Sequence, residues 1–151
     1  NWVIGQTRRF KAAASMMGVY DLRMWYATTE EQWFPEWDIG GQPWTRKVWS
    51  KFSPSNFAPK IKTPTLIITG ELDYRIPYTQ SIALFTDLRK QGVPARLLIF
   101  PEDGHWPNRV KSMPVYYNAH LEWFAKYLGG GAAPWKTEDM VHNRAYDQKK
   151  K

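Results

Sequence analysis

Two residues of this sequence have side chains suited to proton transfer, and each follows an apolar run. Asp73 comes shortly after the run Thr65–Thr69, and His105 comes shortly after the run Arg96–Phe100. A carboxylate and an imidazole held together suit a hydrolase in which the His is the general base and the Asp fixes its tautomer and stabilises the imidazolium. The member that such a site still needs is a nucleophile.

The segments around these residues predict a strand, a helix and a second strand. The run Thr65–Thr69 is short, apolar and β-branched, which is typical of a buried strand in a parallel sheet. From Tyr78 to Gln91 the spacing becomes that of an amphipathic helix, and a Gly-x-Pro sequence ends it. A right-handed crossover makes the two strands parallel, so Asp73 and His105 emerge at the same edge of the sheet. Catalytic groups of open α/β sheets collect at that edge.

Spacing alone also allows a purely structural role for both residues. An Asp after a Gly at a strand end is often a turn former or a helix N-cap, and a Gly-His pair is often only a loop contact. The other two histidines, His120 and His142, have no metal-ligand spacing, and we interpret His120 as a surface or packing residue. The chain contains no Cys, which removes disulfides and thiolate chemistry. The sequence therefore predicts no metal and no cofactor.

A resemblance to a known family favours the catalytic interpretation. The runs GELDYRIPYTQS and PEDGHWPNR resemble the prolyl oligopeptidase family of serine peptidases, in its acylaminoacyl-peptidase and dipeptidyl-peptidase branch. The resemblance covers roughly residues 1 to 128. It implies an α/β fold, the C-terminal portion of an α/β-hydrolase with a mostly parallel sheet flanked by helices and incomplete without upstream strands. It also implies that Asp73 is the triad acid, that His105 is the triad base, and that Arg75 holds a substrate carbonyl.

The nucleophilic serine of the resembled family is missing from this sequence. In that family the Ser lies in a Gly-x-Ser-x-Gly-Gly turn, and the helix that follows it is similar to residues 1–7. No Gly-x-Ser-x-Gly occurs among the 151 residues. We therefore expect this chain to be part of a longer polypeptide and to be inactive alone. Its expected partners are an upstream segment that carries the Ser and a peptide substrate, and a homo-oligomer is left open.

The segment 19–57 is rich in tryptophan. It contains five of the nine Trp and shows no sustained period, so short helical turns and loops are expected after the small, apolar residues 10–18, which fit a central strand. An aromatic-rich segment beside the catalytic edge could line a substrate pocket, or its Trp could simply pack onto the sheet. The pocket-lining positions that the resemblance implies fall on Val19, Leu22, Trp25 and, after the acid, Ile76.

The end of the chain predicts one helix and a tail. Ser112 and Pro114 open the helix, and three consecutive glycines end it. We therefore divide the chain into residues 1–128, the peptidase part, and residues 129–151, a glycine-rich linker with a basic tail that is flexible or draped over the surface, with Trp135 as a local contact. The apolar stripe expected to cover one face of the sheet consists of Tyr117, Leu121, Phe124 and Leu128.

Composition limits the functions that this chain can have. A chain of 151 residues with 43% hydrophobic content has the size of one ordinary domain. It has no apolar run of membrane-spanning length and no signal peptide, and its localisation stays open between cytoplasm and periplasm. The net charge of +7 invites a nucleic-acid partner, but the 21 basic residues are scattered and no recognition motif joins them.

The sequence therefore predicts a part of a serine peptidase, without a membrane or nucleic-acid partner. Three alternatives stay open beside it. An esterase of the same fold would share the triad chemistry and differ in its pocket and leaving group. A catalytically inactive interaction module would use the exposed sheet edges to pair with another chain. A basic nucleic-acid-associated domain would show salt-dependent binding to a random duplex.

Overall fold

The structure is a computed structural model, and it describes residues 1–141. Three strands form one parallel sheet in the order β1-β2-β3. Strand β1 spans Ala13–Met16, β2 spans Thr65–Gly70 and β3 spans Ala95–Phe100. The lysines that end the predicted basic tail, and His142, lie outside the described residues.

Helices lie on both faces of this sheet. None of the helices within residues 1–141 is long and apolar enough to cross a membrane. The segment between β1 and β2 is built of short helical pieces, as predicted. In chain order the helices are a 3-10 turn Val3–Gly5, α1 Leu22–Thr28, α2 Trp33–Pro35, a π-helical turn Glu36–Gly40, α3 Val48–Phe52, a 3-10 segment Pro54–Lys60, α4 Thr79–Lys90, α5 Met113–Leu128 and α6 Thr137–Met140.

Strand β2 is the centre of the described sheet. All of its residues are buried, which confirms the prediction of a buried strand. It pairs in parallel with both neighbours, and its last residue, Gly70, lies opposite Phe100, the last residue of β3. The helix α4 connects these two strands, so the predicted strand-helix-strand unit is present. The carboxyl ends of β2 and β3 therefore meet at one edge, as parallel pairing requires.

Strand β1 is shorter than the predicted strand over residues 10–18. It pairs with β2 and, within residues 1–141, lies at one edge of the sheet and not at its centre. The strand ends just before the buried residue Met17, whose φ of +46° turns the chain out of the extended conformation. The small residues Ala13 and Ala14 have no strong strand preference, so the sequence could not place these bounds.

The side chains of β2 alternate between two hydrophobic clusters. Ile67 packs on the side of α4, and its neighbours Leu66 and Ile68 pack on the side of α5. All three are fully buried, and removing one such side chain from water is worth about 1.5–3 kcal/mol. Because successive side chains of a strand point to opposite faces, this one strand holds a helix on each side of the sheet.

The helix α4 packs one face against the sheet, as expected of the predicted amphipathic helix. Leu84 and Leu88 are fully buried in the cluster that contains Ile67, and Ser81 is buried beside them. Gln80, also fully buried, accepts hydrogen bonds through Oε1 from the backbone N–H groups of the two residues before α1. The first turn of α4 therefore fixes the point at which the segment after β1 begins.

The prediction for the buried face of α5 is wrong for three of its four residues and correct for Phe124. Tyr117, Leu121 and Leu128 are each more than half exposed, at 57%, 54% and 57%. The buried face contains Ala119 and Trp123, with Val115, Tyr116, Phe124 and Tyr127 packed around them. Apolar side chains occur on several sides of this helix, so the helical spacing of apolar residues alone did not identify the buried face. The small side chain of Ala119 is fully buried on the face that packs against Leu66 and Ile68 of β2.

Residues 132–141 lie against α5. The buried side chain of Asn118 donates to the carbonyl oxygen of Trp135 at 2.9 Å and to Oγ1 of Thr137 at 3.0 Å, and it accepts from the Trp135 N–H. The predicted local contact at Trp135 is therefore made by its backbone, since 62% of the residue is exposed. This part of the tail is draped over the surface, and α6 within it was not predicted. The division of the chain after residue 128 stays a prediction.

Candidate active site

The acid and the imidazole identified in the sequence are in contact. Nδ1 of His105 lies 2.9 Å from Oδ2 of Asp73. The Asp73 side chain is completely buried, whereas 20% of the His105 side chain is exposed. Asp73 follows β2 and His105 follows β3, so the pair lies at the carboxyl edge of the sheet. A molecule that approaches this edge can therefore reach the imidazole but not the carboxylate.

The turn after β2 holds the Asp73 carboxylate in one orientation. Its Oδ1 accepts hydrogen bonds from the backbone N–H groups of Arg75 at 3.1 Å and Ile76 at 2.8 Å. Together with His105 on Oδ2, these N–H groups offset the cost of burying the carboxylate. The two roles considered for Asp73 are thus both present in the geometry, because one oxygen forms the turn and the other contacts the imidazole.

A second buried carboxylate, Asp103, shapes the loop after β3. It is 2% exposed and accepts hydrogen bonds from the hydroxyl of Ser112 and the backbone N–H of Arg109. On the outer side of the same loop, the hydrogen bond from Lys111 lowers the pKa of the Glu102 carboxyl. The loop is therefore tied to the start of α5 on its inner and its outer side.

The loop after β3 also packs directly on the end of β2. A Cβ placed on Gly70 would lie 2.2 Å from the carbonyl oxygens of Asp103 and Gly104. The N–H of Leu72 donates to the Asp103 carbonyl at 3.0 Å, which continues the contact beyond the strand. The absence of a side chain at Gly70 therefore permits the approach that brings His105 to the acid.

The contact with Asp73 determines what the imidazole of His105 can do. A carboxylate oxygen only accepts hydrogen bonds, so the neutral ring carries its proton on Nδ1. Nε2 then has a free lone pair and can take a proton from a nucleophile. The ring packs edge-on against the exposed indole of Trp106, with their centroids 4.9 Å apart. This arrangement suits a general base oriented by a carboxylate.

The side chain of Arg75 contacts an acidic residue of the segment after β1. Its Nη2 donates to Oε1 of Glu31 at 3.1 Å, and its Nε lies 3.0 Å from Oε2 without the alignment of a hydrogen bond. The two side chains are partly exposed, at 39% and 30%. The residue that the resemblance assigns to a substrate carbonyl thus lies two residues after Asp73 and is already paired with Glu31.

The other residues assigned to a substrate pocket lie together. One hydrophobic cluster contains Val19, Leu22, Trp25 and Ile76, together with Tyr26 and Trp49. We call it the Trp25 cluster. Leu22 and Trp25 are buried inside it, whereas Val19 and Ile76 are only partly buried. The Trp25 indole donates to the Arg75 carbonyl at 2.9 Å. The cluster therefore packs against the turn after the acid.

Sequence reasoning missed three residues that shape this site. Gly70 carried a signal, since a Gly at a strand end can mark a close approach of another backbone. Asp103 carried a weaker one, as an acid shortly before the loop His. No sequence signal marked Glu31, because it lies in a segment without a regular hydrophobic spacing. No group of three or more His, Asp or Glu within residues 1–141 is arranged to hold a metal ion.

A parallel sheet with helices on both faces and an acid-imidazole pair at its carboxyl edge is part of an α/β-hydrolase fold. Comparison with known proteins narrows this class. The model of the prolyl oligopeptidase family matches residues 1–131. The chain belongs to this family, and its relatives there are serine peptidases, as the resemblance implied.

Two curated relatives and one solved structure illustrate the similarity. Dipeptidyl-peptidase 5 of Porphyromonas gingivalis is 35% identical over 134 residues, which cover 84% of this chain and 19% of that protein. Dipeptidyl-peptidase 5 of Aspergillus oryzae is 37% identical over 138 residues, covering 85% and 18%. The acylaminoacyl peptidase of Pyrococcus horikoshii has a TM-score of 0.81 at 27% identity and covers 92% of this chain and 23% of its own. The chain thus spans about a fifth of the length of these curated relatives.

Proposed function

We propose that this chain supplies the acid and the general base of a serine peptidase, Asp73 and His105. The observation that carries the proposal is the 2.9 Å contact between the mostly buried imidazole and the fully buried carboxylate at the carboxyl edge of the sheet. Membership of the prolyl oligopeptidase family supports it. The nucleophile is a serine from a segment outside residues 1–151, since this sequence contains no Gly-x-Ser-x-Gly.

The proposed reaction is acyl transfer in two halves. The serine hydroxyl attacks the carbonyl carbon of the peptide, while Nε2 of His105 takes its proton and Asp73 stabilises the imidazolium. The intermediate collapses when Nε2 gives that proton to the leaving amine, and an acyl-enzyme forms. Water then attacks the acyl carbon with the same proton transfers, which releases the carboxylic acid product and restores the serine hydroxyl. Backbone N–H groups of the segment that carries the serine stabilise the oxyanion.

The substrate is proposed to be a peptide held by residues beside the catalytic pair. Arg75 binds a backbone carbonyl of the peptide. The Trp25 cluster contacts the side chain before the scissile bond through its partly exposed members, Val19 and Ile76. Leu22 and Trp25 support these two from within. The names of the relatives, dipeptidyl-peptidase and acylaminoacyl peptidase, point to short peptides with a free or acylated amino end.

The test uses the full-length protein that contains this sequence. It is expected to hydrolyse a dipeptidyl 4-nitroanilide and to react with a fluorophosphonate, and His105→Ala is expected to lower kcat by about 10³–10⁵-fold. His120→Ala is the matched control, because that imidazole packs within α5 and donates from Nδ1 to the Tyr116 carbonyl. Full activity of the His105→Ala variant would refute the proposal. Hydrolysis of esters without hydrolysis of amides would favour the esterase instead.

A further inference from the structure

We infer that Glu31 is a positioning residue for Arg75 and thereby sets substrate affinity; this inference rests on the proposed function. Glu31 approaches the guanidinium at two points, with Oε1 at 3.1 Å from Nη2 and Oε2 at 3.0 Å from Nε. The Nη2 contact is a hydrogen bond and the Nε contact is a close approach of opposite charges without hydrogen-bond alignment, and together they restrict rotation of the guanidinium plane. A single contact would leave the plane free to rotate.

The pairing leaves part of the guanidinium available to a ligand. Nη1 of Arg75 makes no hydrogen bond to any part of the chain that the structure describes, and 39% of the side chain is exposed. A guanidinium has five N–H donors, and the carboxylate of Glu31 lies against the Nε and Nη2 side. The Nη1 side can therefore donate to a carbonyl oxygen of a substrate while the ion pair stays intact.

The backbone on either side of this ion pair is held as one unit. The carbonyl of Arg75 accepts hydrogen bonds from the Trp25 indole at 2.9 Å and from the Thr29 hydroxyl at 2.8 Å. The carbonyl of Tyr74 accepts from the N–H of Glu30 at 2.9 Å. The end of α1 and the turn after the triad acid are therefore joined by three hydrogen bonds. Glu31 is thus fixed relative to the catalytic pair, as a positioning residue must be.

A role of this ion pair in stability alone would give a different result. Both side chains are partly exposed, and ion pairs in such positions contribute little to the free energy of unfolding. The three backbone contacts of the same segment do not involve the Glu31 carboxylate. Replacing that carboxylate by an amide should therefore leave the melting temperature close to that of the wild type and change the orientation of Arg75.

The experiment measures KM and kcat separately in the full-length protein with a dipeptidyl 4-nitroanilide. Glu31→Gln is expected to raise KM about two- to fivefold with little change in kcat. Glu30→Gln is the matched control, since it makes the same chemical change at the adjacent, exposed position and should leave KM unchanged. Arg75→Ala should raise KM more, and adding Glu31→Gln to it should have no further effect, because the two residues act through one contact.

Several results would overturn the inference. One is a wild-type KM in Glu31→Gln or in Arg75→Ala. Another is found if Glu31→Gln raises KM by the same factor in the Arg75→Ala background as in the wild type. A lower melting temperature with an equal loss of kcat would assign Glu31 to the fold alone. Failure of the proposed function is recognised separately, because His105→Ala would then hydrolyse the substrate as fast as the wild type, whatever the Glu31 variants do.

Discussion

The carbonyl oxygen of Asp103 lies 2.2 Å from the point that a Cβ on Gly70 would occupy. The last residue of β2 therefore touches the backbone of the loop that follows β3. Gly70 stands shortly before the acid, and the loop carries the imidazole. The distance between the Asp73 carboxylate and the His105 imidazole thus depends on a contact between two backbones, which a side chain at Gly70 would separate.

Gly70→Ala is the variant that tests this contact. The new methyl group must move the loop, since backbone carbonyls cannot rotate away as a flexible side chain can. A shift of about 1 Å in a catalytic group can cost about 10²-fold in rate, and we expect a loss of kcat of that order. The measurement is kcat of the full-length protein, together with its melting temperature, which should also fall.

The matched control for this prediction is Gly104→Ala. A Cβ there would lie 3.6 Å from the Leu72 carbonyl oxygen, which is an ordinary contact. The kcat of Gly104→Ala should therefore be much closer to the wild-type value than the kcat of Gly70→Ala is. Equal effects of the two substitutions would show that the packing at Gly70 does not set the geometry of the pair.

Asp73→Asn tests the orientation of the imidazole. The amide oxygen can still accept from the N–H groups of Arg75 and Ile76, so the turn is retained. The amide nitrogen then faces Nδ1 of His105, which must accept, and the ring proton moves to Nε2. A ring with its proton on Nε2 cannot act as the base, and we expect kcat to fall about 10⁴-fold.

The same chemical change at Asp38, which is exposed and distant in the chain from the acid, is the control. It should leave kcat and the melting temperature of the full-length protein unchanged. The hypothesis of an oriented general base does not survive if Asp73→Asn keeps its melting temperature and also keeps most of its turnover.

Ala119→Leu tests the corrected face of α5. Ala119 is fully buried against the cluster that contains Leu66 and Ile68. Extra methylene groups in a packed core cost about 1–3 kcal/mol, so the melting temperature should fall clearly. Leu121→Ala, at a position that is 54% exposed, should change stability by no more than about 0.5 kcal/mol. The reverse order of these two effects would restore the face predicted from the sequence.

Short-range patterns in the sequence determined the strands and the helix that position Asp73 and His105. The run before Asp73 and the run before His105 are strands, the segment between them is a helix, and a parallel crossover leaves only one edge at which both residues can emerge. The contact between them was therefore predictable without coordinates. The family resemblance was carried by the segments at the carboxyl ends of these two strands, residues 70–81 and 101–109, and the family model covers both segments.

Only the tertiary structure decided the remaining features. The partner of Arg75 lies 44 residues away in a segment without a period, and nothing in the local pattern marks Glu31 for that contact. The face of α5 depended on which of its apolar side chains meet β2, and Ala119 is fully buried on that face. A sequence pattern reports what one segment prefers, whereas these contacts are set by which distant segments the packed sheet brings together.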